Sequence, residues 1–203
     1  MMSRTLEEIT EQIQADVRNQ EFTARGVPPI YQIHAAAKVL IIGQAPGRKV
    51  TETLIPFNDQ SGDTLIRWMG IDRSVFYSDK IAIMPMDFYY PGKGRSGDLP
   101  PREFVAREYH PALLSLMPEL RLTLLVGKYA VDYYLKERRQ RNLTETVRNY
   151  EAYLPAFFPL VHPSPLNFRW QGKNPWFQQE VVPVLQEKVK EALRQTESSE
   201  DAE

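Results

Sequence analysis

Four short apolar runs, each closed abruptly, constrain this chain more than any other feature. They are Val39-Leu40-Ile41-Ile42 before Gly43, Ile81-Ala82-Ile83-Met84 before Pro85, Leu122-Thr123-Leu124-Leu125-Val126 before Gly127, and Phe157-Phe158-Pro159-Leu160-Val161 before His162. Each is too short for a typical helix and nearly continuous rather than alternating, as in strands buried on both faces. The segments between them carry helical periods. Leu6, Ile9, Ile13 and Val17 form one stripe over residues 6–20, with Thr5 as N-cap and Glu8 completing a capping box. Residues 64–69 read as a helix stopped by Gly70, 102–117 as a helix broken or offset near Pro111, 128–139 as a helix with a basic flank, and 176–194 as an amphipathic helix with Pro183 in its first turns. The alternation predicts an α/β fold: a single domain over residues 1–196, with a central four-stranded, mostly parallel sheet flanked by helices and joined by right-handed crossovers. No internal repeat or compositional break marks a second domain.

In such a sheet the loops at the carboxyl ends of the strands converge on one crevice, where ligands bind. Two polar loops stand at such ends, Gly43-Gln44-Ala45-Pro46-Gly47 and His162-Pro163-Ser164-Pro165-Leu166, over 100 residues apart in the chain. They are predicted to line one site. A third segment, residues 86–101, is rich in Gly, Pro and Tyr and too long for a tight turn. It is a candidate functional loop, and its Lys93 and Arg95 are candidate phosphate contacts.

Composition narrows the chemistry. The chain has no cysteine, which excludes disulfides, a thiol nucleophile and a cysteine-ligated iron–sulfur cluster. No apolar run approaches the ~20 residues a membrane span needs, and residues 1–18 are too charged for a signal peptide. A cytoplasmic monomer is expected. The net charge of −1 is unevenly placed. Residues 197–203 hold four acids and no base, so without them the net charge becomes +3; this tail is expected to be a disordered appendage. Residues 128–148 hold six bases and three acids, readable either as a phosphate-contacting patch or as a solvated helix face.

In order along the chain, these motifs resemble the uracil-DNA glycosylase superfamily. The resemblance runs from Val39 to Leu166. It includes Gly43-Gln44-Ala45-Pro46-Gly47 after a buried strand, Phe57 eleven residues after Pro46, Ser61-Gly62-Asp63-Thr64-Leu65, Trp68-Met69-Gly70-Ile71 leading through Phe76-Tyr77, and His162-Pro163-Ser164-Pro165-Leu166. The segment around Pro56 and Phe57 is similar to the iron–sulfur branch, whose cluster this cysteine-free chain cannot hold.

The resemblance implies a DNA glycosylase that hydrolyses the N-glycosidic bond of a flipped deaminated base, with no cofactor or metal and with damaged DNA as partner. It implies that Phe57 stacks on the base, that His162 donates a hydrogen bond to the base oxygen, and that Leu166 wedges into the gap left in the duplex. Pro163, Ser164 and Pro165 brace that loop against DNA. Gly43, Ala45, Pro46 and Gly47 approach the base and sugar, and Gln44 holds the attacking water. Two departures stand out. Ala45 occupies a position where branches of the family carry Asp or Asn, so the water's proton needs another acceptor; among Glu52, Asp59, Asp63 and Asp87, Asp59 is preferred because it closely follows Phe57. Lys80 stands near the position of an Asn that pairs with the uracil edge, and a lysine only donates. Hypoxanthine, xanthine or another altered base therefore stays open beside uracil. A DNA- or base-binding module that does not cut, and a small-molecule nucleotide enzyme on a generic doubly wound sheet, are the competing readings.

Overall fold

The structure is a computed structural model that describes residues 4–194. The acidic segment 197–203 lies outside the described residues. The expected strands are present as β1 (Val39–Ile42), β2 (Ile81–Ile83), β3 (Leu122–Val126) and β4 (Phe157–Leu160). They form one sheet in the order β2-β1-β3-β4, and every pairing is parallel. The outer edge of β2 is shielded by Gln32, whose backbone exchanges hydrogen bonds with Ile83 and whose amide donates to the carbonyls of Phe76, Ser78 and Ile81.

Helices cover both faces: α1 (Leu6–Ala15), α2 (Gln20–Ala24), α3 (Arg48–Thr53), α4 (Gln60–Met69), α5 (Arg73–Phe76), α6 (Glu103–Leu114), α7 (Lys128–Leu135), α8 (Leu143–Arg148), α9 (Phe168–Lys173) and α10 (Val182–Arg194). The period-two side-chain direction of the strands splits the core into two layers. Leu40, Ile42, Ala82 and Leu125 face a layer with Ile9 and Ile13 of α1, Leu113 of α6 and Val131 of α7. Val39, Ile41, Ile83, Leu124 and Leu160 face the other, with Leu65 and Met69 of α4 and Leu185 and Val189 of α10. This is why the strands read as unbroken apolar runs.

The capping box forms as expected: Glu8 N–H donates to Thr5 Oγ1 at 3.2 Å, and Thr5 N–H donates to the Glu8 carboxylate at 2.8 Å. Gly70 ends α4 in the left-handed region, with φ +65°. Several helix expectations change. The helix expected over 128–139 ends at Leu135, where Lys136 takes φ +49° and a 3₁₀ turn, Lys136–Arg138, follows. The 6–20 stripe is interrupted after Ala15, because Asp16 leaves helical backbone and caps a short 3₁₀ turn, Val17–Asn19. Pro111 does not break α6, which continues through it to Leu114. The last helix begins as a five-residue π turn, Phe177–Val181, just before Pro183, where the proline ring and missing N–H disfavour regular α geometry.

Candidate active site

β1 is flanked by β2 on one side and β3 on the other, so the chain leaves its carboxyl end at a topological switch point. A cavity of about 460 Å³ opens there. Every strand end contributes to it: Gly43 to Gly47 follow β1, Pro85 follows β2, Tyr129 lies in the first turn after β3, and His162 follows β4. The two loops predicted to meet do so. Gly43, Gln44, Ala45, Pro46, Gly47, Phe57, Asp59, His162, Ser164 and Leu166 all line this one cavity.

His162 is held by its own loop. Ser164 N–H donates to its Nδ1 at 3.2 Å, so in the neutral ring the proton sits on Nε2. Burial lowers its pKa from the usual histidine value, against the opposing pull of the Asp59 and Asp98 carboxylates. The result is a neutral imidazole with one N–H to give. Asn167 locks the turn beneath it, donating from Nδ2 to the His162 carbonyl at 2.6 Å and from its backbone N–H to the Ser164 carbonyl at 2.9 Å. Ser164 Oγ accepts from Leu166 N–H, and the Leu166 residue projects 85% exposed.

Phe57 is half-buried and strained, with φ +57°. Two glycines allow this placement. A Cβ on Gly62 would lie 1.7 Å from the Phe57 carbonyl oxygen, and one on Gly43 would lie 3.1 Å from the tip of the Phe57 ring. Phe76 meets the ring edge-to-face at 6.3 Å. Asp59 caps α4 by accepting from Gly62 N–H on Oδ1 at 3.0 Å, and its Oδ2 lies toward Gly47. The other candidate acids, Glu52, Asp63 and Asp87, are engaged elsewhere or absent from the cavity lining. Asp87 is fully buried and accepts two side-chain hydrogen bonds from Arg102, both at 2.8 Å, together with the backbone N–H groups of Arg102 and Tyr89. Asp63 pairs with Arg73, and Glu52 is exposed on α3 away from the lining.

Gln44 departs from its expected role as water holder in one respect. Its Nε2–H donates to the Leu99 carbonyl at 3.3 Å, which leaves Oε1 as its available acceptor. Lys80 stands apart from the cavity. It is exposed at the amino end of β2, whereas Ile83 and Pro85 line the cavity from the far end. Three residues of strand put about 10 Å between them, so the lysine does not face the space a base would occupy. Lys93 and Arg95 are exposed and do not line it either. They belong to a small hairpin in which Lys93 bridges to Asp98, and it is the returning strand, Ser96-Gly97-Asp98, that reaches the cavity. Pro163 and Pro165 face a second groove of about 370 Å³ behind the His162 loop, beside Trp68 and Phe168.

Sequence reasoning missed Ser61, Pro85, Asp98 and Tyr129 as cavity walls. His110 is buried between Phe88 and Tyr134; its Nε2–H donates to the Pro85 carbonyl at 3.0 Å and its Nδ1 accepts from Tyr134 at 2.6 Å. It thus fixes one cavity wall, and burial lowers its pKa to about 4. Apart from Val17, the large exposed apolar residues among the described ones lie in or beside the segments forming the cavity: Leu54, Ile55, Leu99, Tyr129, Leu166 and Phe168. An apolar rim around a cavity whose walls carry both apolar and polar groups marks a binding face.

The sequence profile of the Uracil DNA glycosylase superfamily matches residues 30–186. The solution NMR structure of a "putative Uracil DNA glycosylase" from Methanosarcina acetivorans is similar over 77% of this chain and 93% of that one, at 15% identity and a TM-score of 0.47. Among the described residues, no helix is long and apolar enough to cross a membrane.

Proposed function

The chain belongs to the uracil DNA glycosylase superfamily, and from that premise we propose that it is a monofunctional DNA glycosylase acting on a flipped, deaminated base such as uracil. The observation that carries this reading is the convergence on one cavity of a neutral imidazole N–H, an open aromatic side chain and a protruding leucine, His162, Phe57 and Leu166. Unstacking a base costs a few kcal/mol, least for a mismatched or single-stranded one. Leu166 fills the gap left in a duplex. Phe57 stacks on the extruded base, an interaction worth ~1–3 kcal/mol that tolerates several bases.

As the C1′–N bond breaks, its electron pair goes to the base, and negative charge grows on a ring carbonyl oxygen. His162 donates from Nε2 to that oxygen and needs no raised pKa to do so. Positive charge grows on the sugar, next to the Gly43-to-Gly47 turn. Water held by the Gln44 Oε1 adds to C1′, and Asp59 takes its proton on Oδ2, the oxygen not bonded to Gly62. The products are the free base and an abasic site. The 162–166 loop, Lys93 and Arg95 contact the strand around the lesion.

The test is incubation with single- and double-stranded oligonucleotides carrying uracil or hypoxanthine. Abasic sites are expected with the wild type and lost in His162→Ala. No product with any deaminated base, alongside retained DNA binding, would replace this reading with a non-cutting binding module of the same fold.

A further inference from the structure

We infer that Asp98 reads the base at this site, accepting a hydrogen bond from a ring N–H that adjoins the carbonyl held by His162. The inference rests on the proposed base-binding role of the cavity and deepens it.

Residues 92–99 form a braced arm. Gly94 N–H donates to the Gly97 carbonyl and Leu99 N–H to the Gly92 carbonyl, both at 2.8 Å. The arm is tied to the loop after β1 by the Gln44–Leu99 hydrogen bond. At its returning strand, Tyr90 donates its hydroxyl to Asp98 Oδ1 at 3.1 Å, which leaves Oδ2 as the acceptor that Tyr90 does not engage, on a residue that lines the cavity. Asp98 and His162 line the same cavity, and the Asp98 charge is felt at the imidazole. The arm therefore places a carboxylate on the wall of the same cavity as the imidazole donor, whereas Lys80 lies at the opposite end of β2.

The pair selects by chemistry. A donor beside an acceptor matches a lactam edge, a carbonyl next to a ring N–H. Uracil, hypoxanthine and xanthine present that edge. Cytosine and adenine, the undeaminated parents of uracil and hypoxanthine, present a ring nitrogen lone pair there, which a carboxylate repels. Thymine and guanine also carry a lactam, so this pair does not reject them and any discrimination against them falls to cavity shape. The ligand class is thus a lactam nucleobase. Tyr90 is a positioning residue for Asp98.

The test compares affinities of single-stranded oligonucleotides that differ in one central base, uracil against cytosine and hypoxanthine against adenine, so that duplex pairing does not contribute. The wild type is expected to favour each lactam at least tenfold. Asp98→Ala should erase most of that preference by weakening lactam binding without weakening cytosine binding. Asp98→Asn, whose amide N–H can turn toward the cytosine lone pair, should tighten cytosine binding. Tyr90→Phe should shift the ratio the same way as Asp98→Ala, but less. Unfolding curves should not move for Asp98→Ala, because the residue is exposed on the arm. A lactam preference unchanged in Asp98→Ala, or a wild-type preference for cytosine or adenine, overturns the inference even if excision is observed. A lactam preference that depends on Asp98 in a protein that excises nothing sustains it while the glycosylase reading fails.

Discussion

Replacing Leu166 by alanine separates a wedge from an ordinary loop leucine. Residue 166 is 85% exposed in the free protein, so almost all of its apolar surface remains to be buried. Fully burying a leucine side chain contributes ~1.5–3 kcal/mol. If it inserts into a duplex, truncation should remove most of that, about 2 kcal/mol, or roughly thirtyfold in affinity or kcat/KM on duplex substrate. A single strand has no gap to fill, so excision from it should change little. The same exposure means that thermal or denaturant unfolding should shift by no more than about 0.5 kcal/mol. The assay is single-turnover excision on matched duplex and single-stranded oligonucleotides, run beside an unfolding curve. Equal losses on both substrates would refute the wedge. A marked loss of stability would show that the leucine packs against its own loop.

Two further outcomes test the cavity and its support. Phe57→Ala should weaken binding to a deaminated-base oligonucleotide by ~1–3 kcal/mol while leaving undamaged DNA binding nearly intact; equal losses in a binding titration would make Phe57 a packing residue only. His110 should make the fold acid-sensitive. Its folded-state pKa of about 4 lies below the 6.5 of the unfolded chain, so between those values the unfolded state binds a proton that the folded state does not. Its contribution is fully retained above pH 6.5 and falls as the pH drops toward 4, by at most about 3 kcal/mol. Denaturant titrations across that window should show the slope, and His110→Gln should flatten it.

How far the sequence reveals the molecule depends on whether a signal is local. The strands were legible because burial on both faces forces unbroken apolar runs, and the Thr5 cap because its partner is three residues away. The meeting of Gly43 and His162 followed from a general property of parallel sheets, that strand ends converge. Lys80 was misplaced because the motif position outweighed its place before β2, at the strand end away from the crevice. Asp98 was missed although its loop was singled out. The hairpin's return depends on long-range ties, Tyr90 to Asp98 and Gln44 to Leu99, that no periodicity announces. The charged loop residues Lys93 and Arg95 drew attention instead. Tyr129 looked like one more residue of a basic helix, and only the position of that helix after β3 brings it to the cavity.

The electrostatics of the cavity give the absent motif acid a physical reading. Ala45 supplies no charge beside the sugar, yet Asp59 and Asp98 line the same cavity. Two carboxylates near an imidazole would ordinarily favour its protonated form. Here burial is the larger effect on His162 and keeps the ring neutral. Were the ring charged, it would offset the field of one carboxylate. In the proposed reaction, a neutral ring leaves the Asp59 carboxylate, beside the Gly47 turn, unopposed where the sugar gains positive charge and still offers one N–H where the base gains negative charge. A dissociative cleavage separates charge in this sense, so in the proposed reaction the arrangement would lower its barrier without a carboxylate in the first loop. It also predicts a direction. Lowering the pH far enough to protonate His162 should slow excision even though a charged donor forms a stronger single hydrogen bond, because the sugar loses more than the base gains. An excision rate that rises steadily as the pH falls through the His162 titration would show that base departure alone limits the reaction and that the carboxylates contribute little.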